Sequence, residues 1–151
     1  MKHLSLLAIC GIAAVSAPAL TSISFADDHN TQAASETAEH KAVYTEVDAT
    51  ALQELINNGG ALILDARSDD EFAEGRIPGA IQLRPDNATP EKLAELAPQK
   101  DTVMVFYCGS VQCPASAKAA HKAAEAGYTK LYKYPGGMAD WNEQGLPVEQ
   151  G

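Results

Sequence analysis

Two uninterrupted apolar segments, at residues 61–64 and 103–107, restrict the fold of this 151-residue chain more than any other feature. Each has the length of a single strand and lacks the polar alternation of a half-exposed strand, as in parallel sheets that are covered on both faces. Segments with helical character lie before and after them, so strands and helices alternate along the chain. This alternation predicts an α/β fold around a mainly parallel sheet.

Shorter segments around these two runs carry the signals of further elements. Asp48 is of a type that caps helices and Gly59 of a type that ends them, so we predict a helix from Asp48 to about residue 58. Pro90 and Pro114 stand where proline is tolerated, at the start of two more predicted helices. The remaining predicted elements are strands at residues 43–47, 80–83 and 131–134 and helices at residues 69–74 and 138–144.

The N-terminal residues have the layout of a secretory signal peptide. Lys2 precedes an apolar run at residues 4–15, Pro18 follows it, and Ser24-Phe25-Ala26 places small residues at the two positions that a signal peptidase reads. The apolar run is too short to cross a bilayer. We therefore predict export to the periplasm or the medium. The chain divides into a signal peptide at residues 1–26, a flexible, polar linker at 27–41 and one domain at 42–151.

The charge of the chain restricts its partners. Lys and Arg number 11 and Asp and Glu number 20, which gives a formal net charge of −9 at pH 7. An acidic surface repels phosphate backbones and anionic lipid headgroups. We therefore expect neither a nucleic acid nor a membrane as the partner.

A loop between two cysteines is the candidate reactive site. The apolar run at 103–107 leads directly into Cys108, and a predicted helix begins at Pro114. Such a loop turns backbone N–H groups inward and points a helix N-terminus at its centre, which favours anions and a reactive thiolate. We predict Cys108 as the catalytic nucleophile, the alternative being an inert, buried cysteine at a strand end. The predicted substrate-binding loop residues are Gly109, Ser110, Val111, Gln112 and Cys113.

Several motifs of the domain match, in order and spacing, those of one known family. They are Leu64-Asp65-Ala66-Arg67, Glu71-Phe72, Gly75-Arg76-Ile77-Pro78-Gly79-Ala80, Tyr107-Cys108, Gly127-Tyr128, and Tyr134-Pro135-Gly136-Gly137 with Trp141. Through them the domain resembles the rhodanese family from about residue 42 to the C-terminus. Each motif alone is weak, and their combination is specific.

The resemblance implies a five-stranded parallel sheet flanked by helices, and a sulfurtransferase activity. Cys108 would take sulfane sulfur from a small sulfur-containing donor, hold it as a persulfide and pass it to a thiol, a sulfur carrier or another nucleophilic acceptor. This chemistry needs no organic cofactor and no metal. Arg67 is a candidate substrate ligand, although in this family such a residue often forms a buried structural pair with the Asp65 position instead.

The loop departs from the family pattern in two ways. Thiosulfate-using members commonly carry a cationic loop side chain, which is absent here, so thiosulfate is expected to be a poor donor; Gly109-Ser110 is similar to the start of mercaptopyruvate-type loops. The second departure is Cys113, where the family often has a hydroxyl or a basic group. A thiol there would trap Cys108 as a disulfide or resolve its persulfide, or else Cys113 is a small residue before the helix.

Two other functions stay open. Cys108 and Cys113 would suit a thiol-disulfide redox protein, although their Cys-x4-Cys spacing differs from the usual Cys-x-x-Cys. A non-catalytic, rhodanese-like binding module is the other alternative, and the retained Cys108 counts against it. A phosphatase of the related fold is excluded, because Pro114 occupies the position of its phosphate-binding arginine.

Overall fold

The computed structural model describes residues 43–151. The predicted signal peptide at 1–26 and linker at 27–41 lie outside the described residues, and both stay predictions. Within residues 43–151, no helix has the length and apolar character that crossing a membrane requires.

The described chain forms one five-stranded sheet in which every strand pair is parallel. The strand order is β1-β5-β4-β2-β3, which places β4 at the centre and β1 and β3 at the edges. This confirms the predicted fold class. The two edge strands are shorter than predicted because each pairs with a single neighbour over two residues. The strands are β1 (Thr45–Glu46), β2 (Ala61–Asp65), β3 (Ile81–Gln82), β4 (Val103–Tyr107) and β5 (Leu131–Tyr134).

Among residues 43–151, five helices connect and follow the strands, and short polar side chains cap the first turns of the first three. Asp48 accepts a hydrogen bond from the Ala51 N–H, and Ser68 forms a reciprocal capping box with Glu71. Each cap satisfies backbone donors that a helix start leaves unpaired. A 3₁₀ turn at Pro85–Asn87 was not predicted. The helices are α1 (Ala49–Asn57), α2 (Asp69–Glu74), α3 (Pro90–Leu96), α4 (Ala115–Glu125) and α5 (Gly137–Glu143).

Helices cover both faces of the sheet, and β4 shows why its sequence is apolar throughout. Met104 and Phe106 pack into one buried cluster with residues of α3 and α4, and Val105 and Tyr107 into another with residues of α1 and α5. Alternate side chains of a strand point to opposite faces, so a strand covered on both sides needs apolar residues at every position.

The parallel arrangement brings the carboxyl ends of the three central strands to one edge of the sheet. In the register, Asp65 of β2 lies beside Tyr107 of β4, and Tyr107 lies beside Tyr134 of β5. The residues that follow these strands therefore meet at that edge, where open α/β sheets bind their ligands. Cys108 follows β4 and lies there.

Candidate active site

Cys108 is held between the end of β4 and the start of α5. The residue is 3% exposed. Its carbonyl oxygen accepts a hydrogen bond of 2.9 Å from the Met138 N–H, and the Gly109 carbonyl accepts one of 2.9 Å from the Ala139 N–H. These two bonds use N–H groups that the first turn of a helix leaves without intrahelical partners. The backbone that carries the Cys108 thiol is therefore fixed by the fold.

Cys108 and Cys113 are joined by a disulfide. Their Cα atoms lie 6.2 Å apart, and the Cys113 N–H closes a turn by donating to the Ser110 carbonyl. The two sulfur atoms therefore meet on the same side of the loop, and Cys113 does more than precede a helix. The structure represents the oxidised state of the loop, whereas a reactive Cys108 needs the reduced thiolate.

The loop backbone partly matches the predicted anion cradle. Among residues 43–151, no hydrogen-bond acceptor engages the N–H groups of the four loop positions 109–112. The Cys113 N–H differs from the other four, contrary to that prediction. It donates to the Ser110 carbonyl in the turn that closes the loop, so it is not free for an anion. Four loop N–H groups are thus without a partner among the described residues.

A cavity of about 420 Å³ opens beside the two cysteines. Of the predicted site residues it brings together Cys108, Gly109, Ser110, Cys113 and Arg67, with Ala115 at the start of α4. The predicted ligands Val111 and Gln112 do not line it, and Val111 is 70% exposed. A larger cavity of about 690 Å³ is lined by Ser110 and Val111 of the loop but by neither cysteine.

Arg67 forms a buried ion pair beneath the cavity. Its Nη2 donates to Asp65 Oδ2 at 2.6 Å and to the Gly75 carbonyl at 2.6 Å, and its Nε also donates to Asp65. Burial opposes the charge of Arg67, but the hydrogen bonds and the charge of Asp65 outweigh it and raise the pKa of Arg67. Arg67 is therefore a structural residue that ties two segments together, and its role as a substrate ligand stays a prediction.

Tyr107 connects this ion pair to the strand that carries Cys108. Its hydroxyl donates to Asp65 Oδ2 at 2.6 Å and accepts from the Ile77 N–H at 3.2 Å. Burial and the neighbouring carboxylate raise the pKa of Tyr107, so the hydroxyl keeps its proton and donates to Asp65. The end of β4 is thereby anchored immediately before the nucleophile.

Three charged residues of the cavity, Arg84, Glu71 and Asp86, come from segments that the sequence did not connect with the site. Arg84, two residues after the end of β3, lines the cavity and has no ion-pair partner among residues 43–151. Glu71, in the helix predicted at residues 69–74, also lines the cavity. Hydrogen bonds from Ser68 lower the pKa of Glu71, so it is a carboxylate at neutral pH. The sequence offered one signal that these residues belong to the site: they follow predicted strands, and residues that follow parallel strands meet at one edge of the sheet.

The described residues contain no group of three or more His, Cys, Asp and Glu side chains placed to hold a metal ion. The site combines a buried sulfur, a second sulfur in reach, and loop N–H groups and an Arg84 guanidinium that have no partner among residues 43–151.

Comparison with known proteins agrees with this geometry. The family model described as Rhodanese-like domain matches residues 48–144. The chain is 34% identical over 110 residues to the "Uncharacterized protein YibN" of Escherichia coli (strain K12), covering 72% of this chain and 73% of that protein. It is 34% identical over 104 residues to a sulfurtransferase of Allochromatium vinosum, covering 68% of this chain and 92% of that protein.

A solved structure extends the likeness to three dimensions. The BH2092 protein of Bacillus halodurans superposes with a TM-score of 0.65 at 28% identity, over 73% of this chain and 80% of that one. The matched family residues include the central strands, Cys108 and the start of α5, which are the parts that build the cavity. The chain belongs to the rhodanese-like domain family.

Proposed function

We propose that this protein is a sulfurtransferase in which Cys108 accepts sulfane sulfur from a small donor and passes it to a thiol or another nucleophilic acceptor. The observation that carries the proposal is that Cys108 lines a cavity together with Arg84 and with Gly109 and Ser110, whose N–H groups have no partner among residues 43–151. The sulfurtransferase of Allochromatium vinosum, which is 34% identical, supports the same reaction class.

The reaction begins from the reduced loop. The Cys108 thiolate attacks the outer sulfur of the donor, the bond between that sulfur and the rest of the donor breaks, and the rest leaves with the electron pair. Cys108 then carries a persulfide, whose outer sulfur an acceptor nucleophile removes to restore the thiolate. Neither step requires an electron carrier. While the Cys108–Cys113 bond is intact, Cys108 has no free thiolate, so reduction must come first.

Sulfur transfer to cyanide tests the proposal. The fully reduced protein is given thiosulfate or 3-mercaptopyruvate as donor with cyanide as acceptor, and thiocyanate is measured. We expect catalytic thiocyanate formation with at least one donor. Formation no faster than in buffer, with both donors, would contradict the proposal and leave the binding-module alternative.

Arg84 supplies the cation that the loop lacks. A hydrogen bond to a charged group contributes about 1.5–3 kcal/mol, so Arg84→Ala is expected to raise KM for an anionic donor roughly tenfold or more. Arg84→Lys keeps the charge and should recover part of the loss. Arg76→Ala is the matched control, since Arg76 pairs with Glu149 and does not line the cavity. Equal KM values for Arg84→Ala and Arg76→Ala would remove Arg84 from the donor site.

Thiol-disulfide exchange is a second candidate, favoured by the Cys108–Cys113 bond itself. A redox protein turns over this bond without any sulfur donor. A catalytic amount of the protein is therefore mixed with glutathione disulfide and a dithiol reductant, without a sulfur donor, and the release of glutathione above the uncatalysed rate is followed over many turnovers. Catalytic release at a rate above that of thiocyanate formation would favour this second function.

The proposal also includes export of the protein. The pattern of residues 1–26 supports a location in the periplasm or the medium, and the acidic chain supports small sulfur compounds and thiols rather than nucleic acids or membranes as partners. N-terminal sequencing of the protein recovered from its native cell tests this location. The expected first residue is Asp27, and an intact Met1 would count against export.

A further inference from the structure

We propose that Cys113 is a resolving cysteine, which displaces the outer sulfur of a Cys108 persulfide as hydrosulfide. The reduced protein would thereby convert sulfane sulfur into sulfide within its own loop and finish as the Cys108–Cys113 disulfide. This inference rests on the proposed function, because it starts from a persulfide on Cys108. It adds a second activity, in which sulfur leaves as sulfide instead of passing to an external acceptor.

The disulfide shows that the Cys113 sulfur reaches the inner sulfur of such a persulfide. With the bond in place, the Cys108 and Gly109 carbonyls still accept hydrogen bonds of 2.9 Å from the first turn of α5. Tyr107 also keeps its hydrogen bond to Asp65. The loop therefore closes on itself without leaving its anchors at β4 and α5, and the reaction requires no opening of the domain.

The step balances without a further reagent. Cys113 attacks Cys108 Sγ, a bond forms between the two cysteine sulfurs, and the bond between Cys108 Sγ and the outer sulfur breaks. The outer sulfur leaves with the electron pair and takes the proton of the Cys113 thiol, as HS⁻. The sulfane sulfur is reduced to sulfide, and the two cysteines are oxidised to a disulfide. A dithiol reductant must then restore the loop before the next turnover.

Proximity favours this internal route over an external thiol. Cys108 is 3% exposed, so an acceptor reaches its sulfur through the cavity, whereas Cys113 already lines that cavity. A tethered group reacts as if present at a concentration on the order of millimolar or higher. External thiols at lower concentration would therefore lose to Cys113.

A single-turnover experiment separates the two routes. Full-length Cys10→Ser protein, which retains the two loop cysteines, is reduced, freed of reductant without oxygen, and given thiosulfate or 3-mercaptopyruvate. Sulfide is measured with a trapping reagent, and the intact mass and the modified peptide are measured by mass spectrometry. The same background carries Cys113→Ser, and Cys108→Ser serves as the negative control.

We expect the protein with both loop cysteines to release about one equivalent of sulfide and to lose the mass of two hydrogens. Cys113→Ser should gain the mass of one sulfur at Cys108 and release almost no sulfide, and Cys108→Ser should do neither. A stable persulfide on Cys108 with Cys113 present, or a persulfide found on Cys113, would overturn the inference while the proposed function stands. If even Cys113→Ser takes no sulfur from either donor, the proposed function fails and the inference with it.

Discussion

Replacing Cys108 by serine is expected to lower thiocyanate formation by about three orders of magnitude or more. A serine hydroxyl is not ionised at neutral pH, and its oxygen does not hold sulfane sulfur as a persulfide. Among the residues that line the cavity, Cys113 carries the only thiol that remains in this variant.

Cys113→Ser is the matched control for this prediction. Both variants lack the disulfide, so any effect of the lost crosslink on stability is common to them, and they differ only in which sulfur remains. Under reducing conditions with excess cyanide, Cys113→Ser should retain activity close to that of the parent. Thermal unfolding of each variant by circular dichroism verifies the fold. Activity in a folded Cys108→Ser variant would mean that sulfur is carried elsewhere.

The architecture could be predicted from the sequence because local and global signals agree. Residues 103–107 are apolar at every position, and the structure covers β4 on both faces, as that pattern requires. The predicted acidic helix is α2, at the bounds that Ser68 and Gly75 set. Where a capping residue and the regular spacing of apolar residues indicate the same element, few other backbone conformations compete with it.

The contents of the site were less predictable because they depend on distant segments. Nothing local to Arg84 or Glu71 shows that each lines the cavity of the cysteine loop, since only the folded sheet places β2 beside β4 and β3 beside β2. The pairing of Cys108 with Cys113 was left open for a different, local reason: it depends on the direction of two side chains around one turn. Spacing alone does not fix that direction.

Gly137 belongs to a motif that the sequence analysis quoted, but its physical role appears only in the structure. Its φ is +60°, which side chains with a Cβ rarely adopt. A Cβ added there would lie 2.3 Å from the Cys108 carbonyl oxygen. The absent side chain thus allows α5 to approach the backbone of the nucleophile closely enough for the Met138 N–H to bond it.

Gly137→Ala is accordingly expected to lower both stability and activity. The left-handed backbone costs about 1–2 kcal/mol for alanine, and overpacking against Cys108 adds about 1–3 kcal/mol, so the free energy of unfolding should fall by about 2–5 kcal/mol. The alternative to a clash is a shift of the loop, and a displacement of about 1 Å at a nucleophile costs about 10²-fold in rate. Urea unfolding and thiocyanate formation measure the two effects.

Gly145→Ala separates the clash from the backbone conformation. Gly145 has a φ of +66°, close to that of Gly137, but a Cβ there meets no atom within 4 Å among the described residues. The control should therefore lose about 1–2 kcal/mol of stability and keep its rate of sulfur transfer. If the two variants lose equal stability and both remain fully active, the contact with Cys108 does not position the nucleophile. A larger loss for Gly137→Ala, with slower transfer, makes the start of α5 a positioning element of the site.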